Sequence, residues 1–259
     1  MTGPESPVLY EVDGHVATLT LNRPDQRNAV SPELTTAMDE ALRRMEDDPE
    51  VWVGILTAAG PNFCAGADLK AIGAGRSAEL ATEAGGFAGL VRYPRTKPLI
   101  AAVRGFALAG GTELVLACDM VVAARDASFG LPEVTRGIVA AAGGLFRLPR
   151  VIGSARAIEL ILTADRMGAE EAHSRGMVNA LTDADGVLDA ARELAERICR
   201  NAPLAVRESL AIARDAMRID DDEAWARSVT AMQRVRDSED AKEGVTAFVE
   251  KRPARWSGR

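Results

Sequence analysis

Two glutamates and two glycine-rich turns are the residues of this chain whose types and spacing could do chemistry. Gly110 and Gly111 follow an apolar run and begin an apolar helix that contains Glu113. Backbone N–H groups at such a helix start can approach a ligand closely, and the helix dipole adds positive potential there. This arrangement suits an anion, or an oxygen on which negative charge develops during a reaction.

Glu113 has two interpretations when it is considered alone. The residues around it are apolar, so its carboxylate is expected in the interior, where a charge is costly unless it is paired or neutralised. A glutamate in the first turn of a helix is also favoured by the helix dipole without any further role. Glu133 follows Pro132, and this pair is equally an ordinary helix opening. The glycine turn at 62–70 is weakly informative by itself.

The elements that must position these residues are strands followed by turns and helices. Alternating apolar and polar residues on both sides of Asp13-Gly14 predict an antiparallel hairpin. The run Ser31-Pro32-Glu33 predicts the start of a helix that continues to about Asp47. Further apolar runs predict buried strands at 51–57, 98–103, 120–124 and 177–181.

Strand patterns stop after about residue 187, and four helices are predicted there instead, at 187–199, 203–217, 223–235 and 238–251. The chain has 259 residues, which is at the upper end of what one domain usually holds. We therefore predict an α/β core over residues 1–200 that contains the active site, followed by a helical region over residues 201–259.

Composition and charge argue against several classes of function. A net charge of -7 and an aromatic content of 4% make nucleic acid an unlikely partner. No apolar run approaches the roughly 18 residues of a membrane span, because Arg104 and Asp119 interrupt the two best candidates. The first residues lack the pattern of an export signal, so the cytoplasm is the expected location.

Metal, disulfide and dinucleotide sites are not expected either. The three cysteines are an odd number and widely spaced, which indicates reduced thiols. The two histidines have no ligand-forming neighbours, so no metal site is predicted. The segment 73–78 imitates a dinucleotide-binding fingerprint, but it follows a helical segment rather than a strand, and we reject that interpretation.

The order and spacing of the segments together resemble the crotonase (enoyl-CoA hydratase/isomerase) superfamily along nearly the whole chain. The segments that carry the resemblance are Asn22-Arg23-Pro24 with Asn28-Ala29, 63–70, 97–103, 110–119, 129–144, Leu162-Thr163 with 169–172, and 247–252. The resemblance implies an α/β spiral of repeated ββα units with a C-terminal helical trimerisation region, often assembled as a dimer of trimers. It also implies an acyl-CoA substrate and no separate cofactor, because CoA is part of the substrate.

The resemblance assigns roles to residues of the proposed active site. The amides of Ala67 and Gly110 are expected to form the oxyanion hole that binds the thioester oxygen. Glu113 and Glu133 match the two positions at which hydratases of the family carry glutamates around one water, whereas isomerases usually keep only the second. On this basis we expect Glu113 to orient and deprotonate water and Glu133 to deliver a proton to the α carbon.

The resemblance also suggests residues that bind CoA. Lys70 matches a family position near the adenine and phosphates, and Ala65 lies in the same turn. Phe248 and Lys251 match a tail pair that reaches the CoA of a neighbouring subunit. Lys70 could equally be a solvated helix residue, and Phe248 could belong to the apolar face of the last helix.

The predicted activity is that of an enoyl-CoA hydratase. An enoyl-CoA isomerase, a carnitinyl-CoA dehydratase-like enzyme and a catalytically idle acyl-CoA-binding protein remain as alternatives. The segments 144–149 and 167–172 resemble the carnitinyl-CoA dehydratase (crotonobetainyl-CoA hydratase) branch of the family. Two departures from the family pattern concern loop shape: Ala109 stands where a third glycine is common, and 139–142 lacks the usual Pro and Gly.

Overall fold

The computed structural model describes residues 6–259. The first five residues, on which the expected lack of an export signal partly depends, lie outside that range. The strands are β1 Val8–Asp13, β2 Val16–Leu21, β3 Val53–Ala58, β4 Ala81–Thr82, β5 Gly86–Phe87, β6 Leu99–Val103, β7 Phe106–Leu108, β8 Met120–Ala124, β9 Ser128–Gly130, β10 Met167–Gly168 and β11 Ala180–Thr182. The helices are α1 Pro32–Asp47, α2 Leu69–Gly73, α3 Gly110–Ala117, α4 Gly144–Ile152, α5 Ser154–Thr163, α6 Ala169–Ser174, α7 Val187–Cys199, α8 Pro203–Asp215, α9 Asp221–Arg236 and α10 Glu239–Glu250. In this described part of the chain, no helix is long and apolar enough to span a membrane.

A six-stranded sheet in the order β1-β2-β3-β6-β8-β11 forms the main layer. Strands β1 and β2 pair antiparallel as the predicted hairpin, and every later pair in this sheet is parallel. Parallel strands are normally covered on both faces, and the residues of β6 are buried without exception. This explains why β6 reads as a continuous apolar run in the sequence.

A second, smaller sheet in the order β10-β9-β7 is built from the residues that follow the main strands. Strand β6 leads through a short turn into β7 and then α3, and β8 leads in the same way into β9 and a 3-10 helix. An isolated bridge between Cys64 and Ala107 places the turn after β3 beside β7. The chain therefore repeats a strand, strand, helix unit, and the predicted α/β spiral of ββα units is confirmed.

Local sequence signals predicted the bounds of most helices and strands correctly. Ser31 caps α1 by accepting a hydrogen bond from the Leu34 amide, and α1 ends at Asp47 as predicted. The four late helices are found within about two residues of their predicted bounds. The last strand starts at Ala180 rather than at residue 177, because Met177 and Val178 turn back after α6 and are buried there.

A buried ion-pair cluster joins α8 to the main sheet. The Asp119 carboxylate accepts hydrogen bonds from Arg214 Nε at 2.7 Å, from Arg95 Nη1 at 3.1 Å and from the Leu99 amide at 2.8 Å. Burial acts to raise the pKa of Asp119, but the hydrogen bonds from Arg214 and the charge of Arg95 outweigh it and lower this pKa. The carboxylate is therefore ionised, and its stabilising effect is lost only as the pH falls below the ordinary aspartate range.

Replacing Asp119 with Asn is expected to lower the free energy of unfolding by about 2–3 kcal/mol, because Arg95 and Arg214 would keep their charges without a buried partner. Asp189→Asn is the matched control. Asp189 pairs with Arg192 at 3.4 Å, and both side chains are exposed, so its loss should change stability by less than about 0.5 kcal/mol. Urea unfolding at neutral pH measures both values, and equal effects would contradict the assignment of Asp119.

Candidate active site

A cavity of about 910 Å³ opens between the turn after β3, the β7–α3 junction and the segment that follows β9. Five of the predicted site residues line it: Ala65, Ala67, Gly110, Glu113 and Glu133. Lys70, Phe248 and Lys251 do not line this cavity. The two glutamates, which are 20 residues apart in sequence, thus share one site with both predicted amide donors.

The Ala67 amide points away from its neighbouring strand. Ala67 forms a parallel bridge with Val30, in which the Val30 amide donates to Gly66 O and the Asp68 amide donates to Val30 O. In a parallel bridge of this kind the N–H of the central residue faces the opposite side. Within residues 6–259, the Ala67 amide donates no hydrogen bond. It is therefore free for a group in the cavity, which Ala67 lines.

Gly110 supplies the second amide, at the first position of α3. This N–H also donates no hydrogen bond to a described residue, as expected for the first turn of a helix. The two donors lie close together, because a Cβ atom built on Gly66 would be 3.1 Å from the Gly110 nitrogen. A Cβ atom on Gly111 would collide with the Cys64 carbonyl oxygen, so only glycine lets α3 approach the turn this closely.

Cys64 holds that turn in place and is not a nucleophile. Its backbone pairs with β7 on both sides, through the Cys64 amide to Phe106 O and the Leu108 amide to Cys64 O. Its thiol donates to Asn28 O at 3.1 Å, and complete burial raises its pKa to about 12. A thiol with this pKa stays protonated at neutral pH. Its contacts are those of a residue that positions the turn.

Glu113 is buried, with 3% of its surface exposed. Its Oε1 atom accepts a hydrogen bond of 2.9 Å from the Gly144 amide at the start of α4. Burial raises the pKa of Glu113 to about 7, and the negative charge of Glu133 adds to the increase, while the Gly144 amide opposes it. The carboxyl group is therefore able to exchange a proton near neutral pH.

Glu133 lies in the 3-10 helix Pro132–Arg136, so the predicted helix opening at Pro132 is real but short. The Glu133 side chain is nevertheless buried, and within residues 6–259 its Oε2 atom has no hydrogen-bond partner. Burial raises the pKa of Glu133, while Arg136 acts in the opposite direction. A buried oxygen without a partner needs a proton, a water or a substrate group to satisfy it. Both acids are thus perturbed towards the protonated form inside one cavity, a feature typical of catalytic sites.

Positive charge reaches the cavity from arginines that the sequence analysis did not select. Arg27, Arg136 and Arg166 all line the cavity, whereas Lys70 is exposed on α2 beside it. Arg27 adopts a left-handed conformation, with φ of 52°, and this turn follows the Asn22-Arg23-Pro24 run. Their positions depend on loop conformations that no periodic pattern reveals. Among the described residues, no group of histidine, cysteine, aspartate and glutamate side chains is arranged to hold a metal ion.

Asn28 is a positioning residue that sequence analysis noted only as part of a segment. It is fully buried, and its side chain accepts from the Arg23 amide and donates to the carbonyl oxygens of Ala59 and Asn62. These bonds fix three turns around the Ala67 amide. Polar groups buried in this way are costly unless all of them are paired, so the network specifies one loop geometry.

Ala109 occupies a conformation that normally needs glycine. It has φ of 52° and ψ of -127°, directly before the Gly110 amide. The family that the sequence resembles commonly has a third glycine at this position, and alanine there carries backbone strain. The Ala109 amide donates to Gly130 O at 2.9 Å, which fixes the entry to α3 despite the strain.

Comparison with known proteins agrees with this geometry. A family model described as Enoyl-CoA hydratase/isomerase matches residues 11–259. The chain belongs to the enoyl-CoA hydratase/isomerase family. Among solved structures, an enoyl-CoA hydratase from Mycobacterium tuberculosis H37Rv superposes with a TM-score of 0.95 at 46% identity, over 98% of this chain and all of the other.

Proteins named for carnitinyl-CoA are similar to this chain as well. A carnitinyl-CoA dehydratase of Proteus mirabilis is 42% identical over 252 residues, which cover 95% of this chain and 96% of that protein. A structure of a carnitinyl-CoA hydratase from Mycobacterium avium has a TM-score of 0.76 at 44% identity, over 98% of this chain and all of the other. Similarity to proteins named for carnitinyl-CoA therefore extends over nearly the whole chain, as does similarity to the enoyl-CoA hydratase.

Proposed function

We propose that this protein is an enoyl-CoA hydratase that adds water reversibly across the 2,3 double bond of a 2-enoyl-CoA thioester. The observation that carries the proposal is the presence of two buried glutamates with raised pKa values in one cavity, beside two backbone amides that donate no hydrogen bond within the described residues. An isomerase moves a proton between carbons and can do so with one carboxylate. Hydration moves two protons and an oxygen, and a pair of carboxyl groups suits it better.

The oxyanion hole consists of the Ala67 and Gly110 amides. The thioester oxygen accepts a hydrogen bond from each of the two N–H groups. These hydrogen bonds become stronger as the oxygen gains negative charge. Because the amides are fixed by the Val30 bridge and by the start of α3, they need no rearrangement during the reaction. Preorganised donors of this kind typically contribute about 10²–10³ in rate each.

The two glutamates divide the proton transfers. Glu113 holds a water, takes one of its protons, and directs the oxygen to C3, where the new C–O bond forms. The π electrons of the double bond move into the enolate, and Glu133 gives its proton to C2. Support for this division comes from the Gly144 amide, which stabilises the Glu113 carboxylate, and from the unpartnered Oε2 of Glu133, which suits a protonated acid. Before the next turnover Glu113 releases its proton to solvent and Glu133 regains one from it. The atoms then balance with water alone, so the proposal includes no cofactor besides the CoA of the substrate.

A panel of 2-enoyl-CoA thioesters tests the proposal. Addition of water removes the conjugated double bond, so the thioester absorbance should fall when purified protein is added. The product should be a 3-hydroxyacyl-CoA by mass spectrometry. A protein that binds the thioesters but leaves both the absorbance and the mass unchanged is not a hydratase.

The pH dependence of hydration should report the titration of Glu113. Since the pKa of Glu113 is raised to about 7 and the base must be ionised, kcat/KM is expected to increase as the pH rises through 7. The pKa of Glu133 is raised as well, mainly by burial, so its ionisation also affects this profile. Because the acids interact, the two inflections belong to the pair. A profile that is flat around neutral pH would contradict the role of Glu113.

CoA binding is proposed at the mouth of the cavity near Ala65, with Lys70 on the adjacent helix α2. The nearby arginines Arg27 and Arg166 supply the positive charge that a polyanion requires and that the net charge of the chain lacks. Phe248 is 85% exposed at the end of α10, and Lys251 is exposed beside it. Neither lines the cavity of its own chain, so their proposed contact with CoA must come from a second subunit.

Self-association through residues 201–259 is proposed, as a homotrimer or a dimer of trimers. Trp225, Val229 and Met232 follow one another at helical spacing along α9, and each is more than half exposed. Val245 and Val249 on α10 are similarly exposed. An apolar surface of this kind on a chain with an otherwise ordinary composition is typical of a subunit interface. The acyl-CoA site and the assembly are then linked through Phe248. The cytoplasm remains the proposed location.

Val229→Glu combined with Met232→Glu should dissociate the assembly, because two buried charges at an interface would lack partners. Sedimentation velocity is the measurement, and the expected result is a smaller species with unchanged helicity by circular dichroism. Thr230→Glu introduces a charge on a different side of α9 and serves as the control. If the double variant sediments like the unmodified chain, α9 is not at the interface.

A further inference from the structure

One wall of the cavity carries a positive charge that the proposed hydration does not use. This wall consists of Gly86, Phe87, Val91 and Arg92, which line the cavity together with Arg147. The Phe87 ring packs directly on Gly110, since a Cβ atom built there would be 2.5 Å from the ring. Arg147 joins the wall to the loop that holds Glu113, because its guanidinium donates to Val91 O and Ala142 O, and the Gly144 amide donates to Glu113. The wall therefore adjoins the end of the cavity at Glu113, where the proposed reaction places C2 and C3 and from which the acyl chain extends.

The charge balance of the cavity is strongly positive. Five arginines line it, namely Arg27, Arg92, Arg136, Arg147 and Arg166, against two acids, Glu113 and Glu133. Both acids have raised pKa values and are already assigned to proton transfer. No other carboxylate among the described lining residues is available to neutralise a cation carried by the substrate.

Arg147 is not free to bind a substrate. Its guanidinium donates to Val91 O at 2.6 Å and to Ala142 O at 3.2 Å, and these bonds join the wall to the loop beside Glu113. Phe146, the neighbouring aromatic residue, has Arg147 and Arg150 at 5.5 Å and 5.2 Å from its ring centre. Its π face is therefore already occupied by cations and offers no cage for another one.

Arg92 differs from Arg147 because its guanidinium makes no hydrogen bond or ion pair with a described residue. Its backbone amide donates to Gly85 O, and its side-chain stem lies against Gly86, so the residue is anchored while its charged end stays exposed. An arginine presents several N–H donors in a planar arrangement that matches a carboxylate. The wall thus carries one uncommitted cation at the acyl side of the cavity.

We propose that the preferred acyl group ends in a carboxylate and that Arg92 binds this carboxylate. The inference depends on the proposed function for the placement of the thioester at Ala67 and Gly110. It distinguishes this chain from its relatives named carnitinyl-CoA dehydratase, because a substrate with a quaternary ammonium would meet Arg92 and Arg147 without a compensating acid. Arg92 is a specificity-determining residue in this account, and the chemistry at C2 and C3 is unaffected by it.

Binding of saturated acyl-CoA thioesters tests the inference without requiring turnover. Isothermal titration calorimetry on the full chain compares hexanoyl-CoA, adipoyl-CoA and trimethylammoniobutyryl-CoA, which end in a methyl group, a carboxylate and a quaternary ammonium. We expect adipoyl-CoA to bind roughly 5- to 10-fold more tightly than hexanoyl-CoA at low salt, and trimethylammoniobutyryl-CoA to bind most weakly. Arg92→Gln should remove the preference for the carboxylate and leave hexanoyl-CoA affinity nearly unchanged.

Arg166→Gln is the matched control within the same cavity. Arg166 lines the cavity beside Phe106, 5.9 Å from its ring centre, and does not belong to the wall that carries Arg92, so its loss should affect all three ligands equally. Equal affinities for adipoyl-CoA and hexanoyl-CoA, tightest binding of the ammonium ligand, or a preference that survives Arg92→Gln would each overturn the inference. The hydration assay fails or succeeds separately: turnover of neutral 2-enoyl-CoA without a carboxylate preference would refute only the role of Arg92.

Discussion

Replacing either Glu113 or Glu133 with Gln should lower hydration of a 2-enoyl-CoA by about 10²–10⁴-fold. Glutamine keeps the volume and can still accept the Gly144 hydrogen bond, but it cannot exchange a proton. The loss would therefore report proton transfer rather than packing. The hydration rate of the double variant should be only slightly lower than that of the slower single variant, because the two acids act on one water as a unit.

Stability provides the control for the Glu113 variant. Since the pKa of Glu113 in the folded protein is raised above its ordinary value, the folded state binds more protons than the unfolded state between these two values, and stability falls as the pH rises through that window. Glu113→Gln removes this penalty, so at alkaline pH it should raise the free energy of unfolding, by an amount on the order of 1–3 kcal/mol. A variant that is both more stable and inactive cannot have lost activity by unfolding.

The pattern of losses also separates the alternatives. Binding of a saturated acyl-CoA should survive both substitutions, because the Ala67 and Gly110 amides are unchanged. If Glu113→Gln keeps isomerisation of a 3-enoyl-CoA while Glu133→Gln abolishes it, the protein is an isomerase. If neither substitution changes the turnover of any acyl-CoA, the protein is a catalytically idle acyl-CoA-binding protein and not a hydratase.

Replacing Gly110 with Pro should reduce turnover by roughly 10²-fold or more, because proline has no N–H to give to the thioester oxygen. The first position of a helix tolerates proline, so α3 should still form. The difficulty is steric: any side chain at this position places a Cβ atom 2.5 Å from the Phe87 ring. A loss of activity in this variant alone could reflect that collision.

Gly110→Ala resolves the difficulty, since it introduces the same Cβ atom but keeps the N–H. Both variants are best compared in a Phe87→Ala background, which removes the ring that the Cβ atom would meet. The ratio of their kcat values then measures how much the Gly110 N–H contributes to the rate. Equal rates for the alanine and proline variants in a folded protein would show that the Gly110 N–H does not stabilise the transition state.

The sequence predicted best those elements whose signals are local. The β1–β2 hairpin follows from the alternation around Asp13-Gly14, and α1 follows from the capping residue Ser31 with Pro32. The buried strands of the main sheet read as apolar runs for a physical reason, namely that both of their faces are covered. The strands of the second sheet, β7 and β9, are only three residues long and have too few residues to show a period.

The sequence analysis selected the two glutamates and the two amides that line the cavity, but it did not select the arginines that line it. Glu113 is visible because it interrupts an apolar helix, and Gly110 because glycines begin that helix. By contrast, the burial of Glu133 in a short 3-10 helix and the presence of Arg27 and Arg92 in the cavity depend on how segments distant in sequence come together. Tertiary packing decides these features, and a pattern within one segment cannot report them.

The fate of solvent atoms tests the central claim most directly. A 2-enoyl-CoA is incubated with the protein in a mixture of deuterium oxide and heavy-oxygen water, and the acyl product is analysed by mass spectrometry. The account predicts one solvent oxygen on C3 and one solvent hydrogen on C2 of the same product molecule, with neither label incorporated by the Glu113→Gln, Glu133→Gln double variant. Solvent hydrogen without solvent oxygen would indicate isomerisation, and no label at all would contradict any enolate chemistry in this cavity.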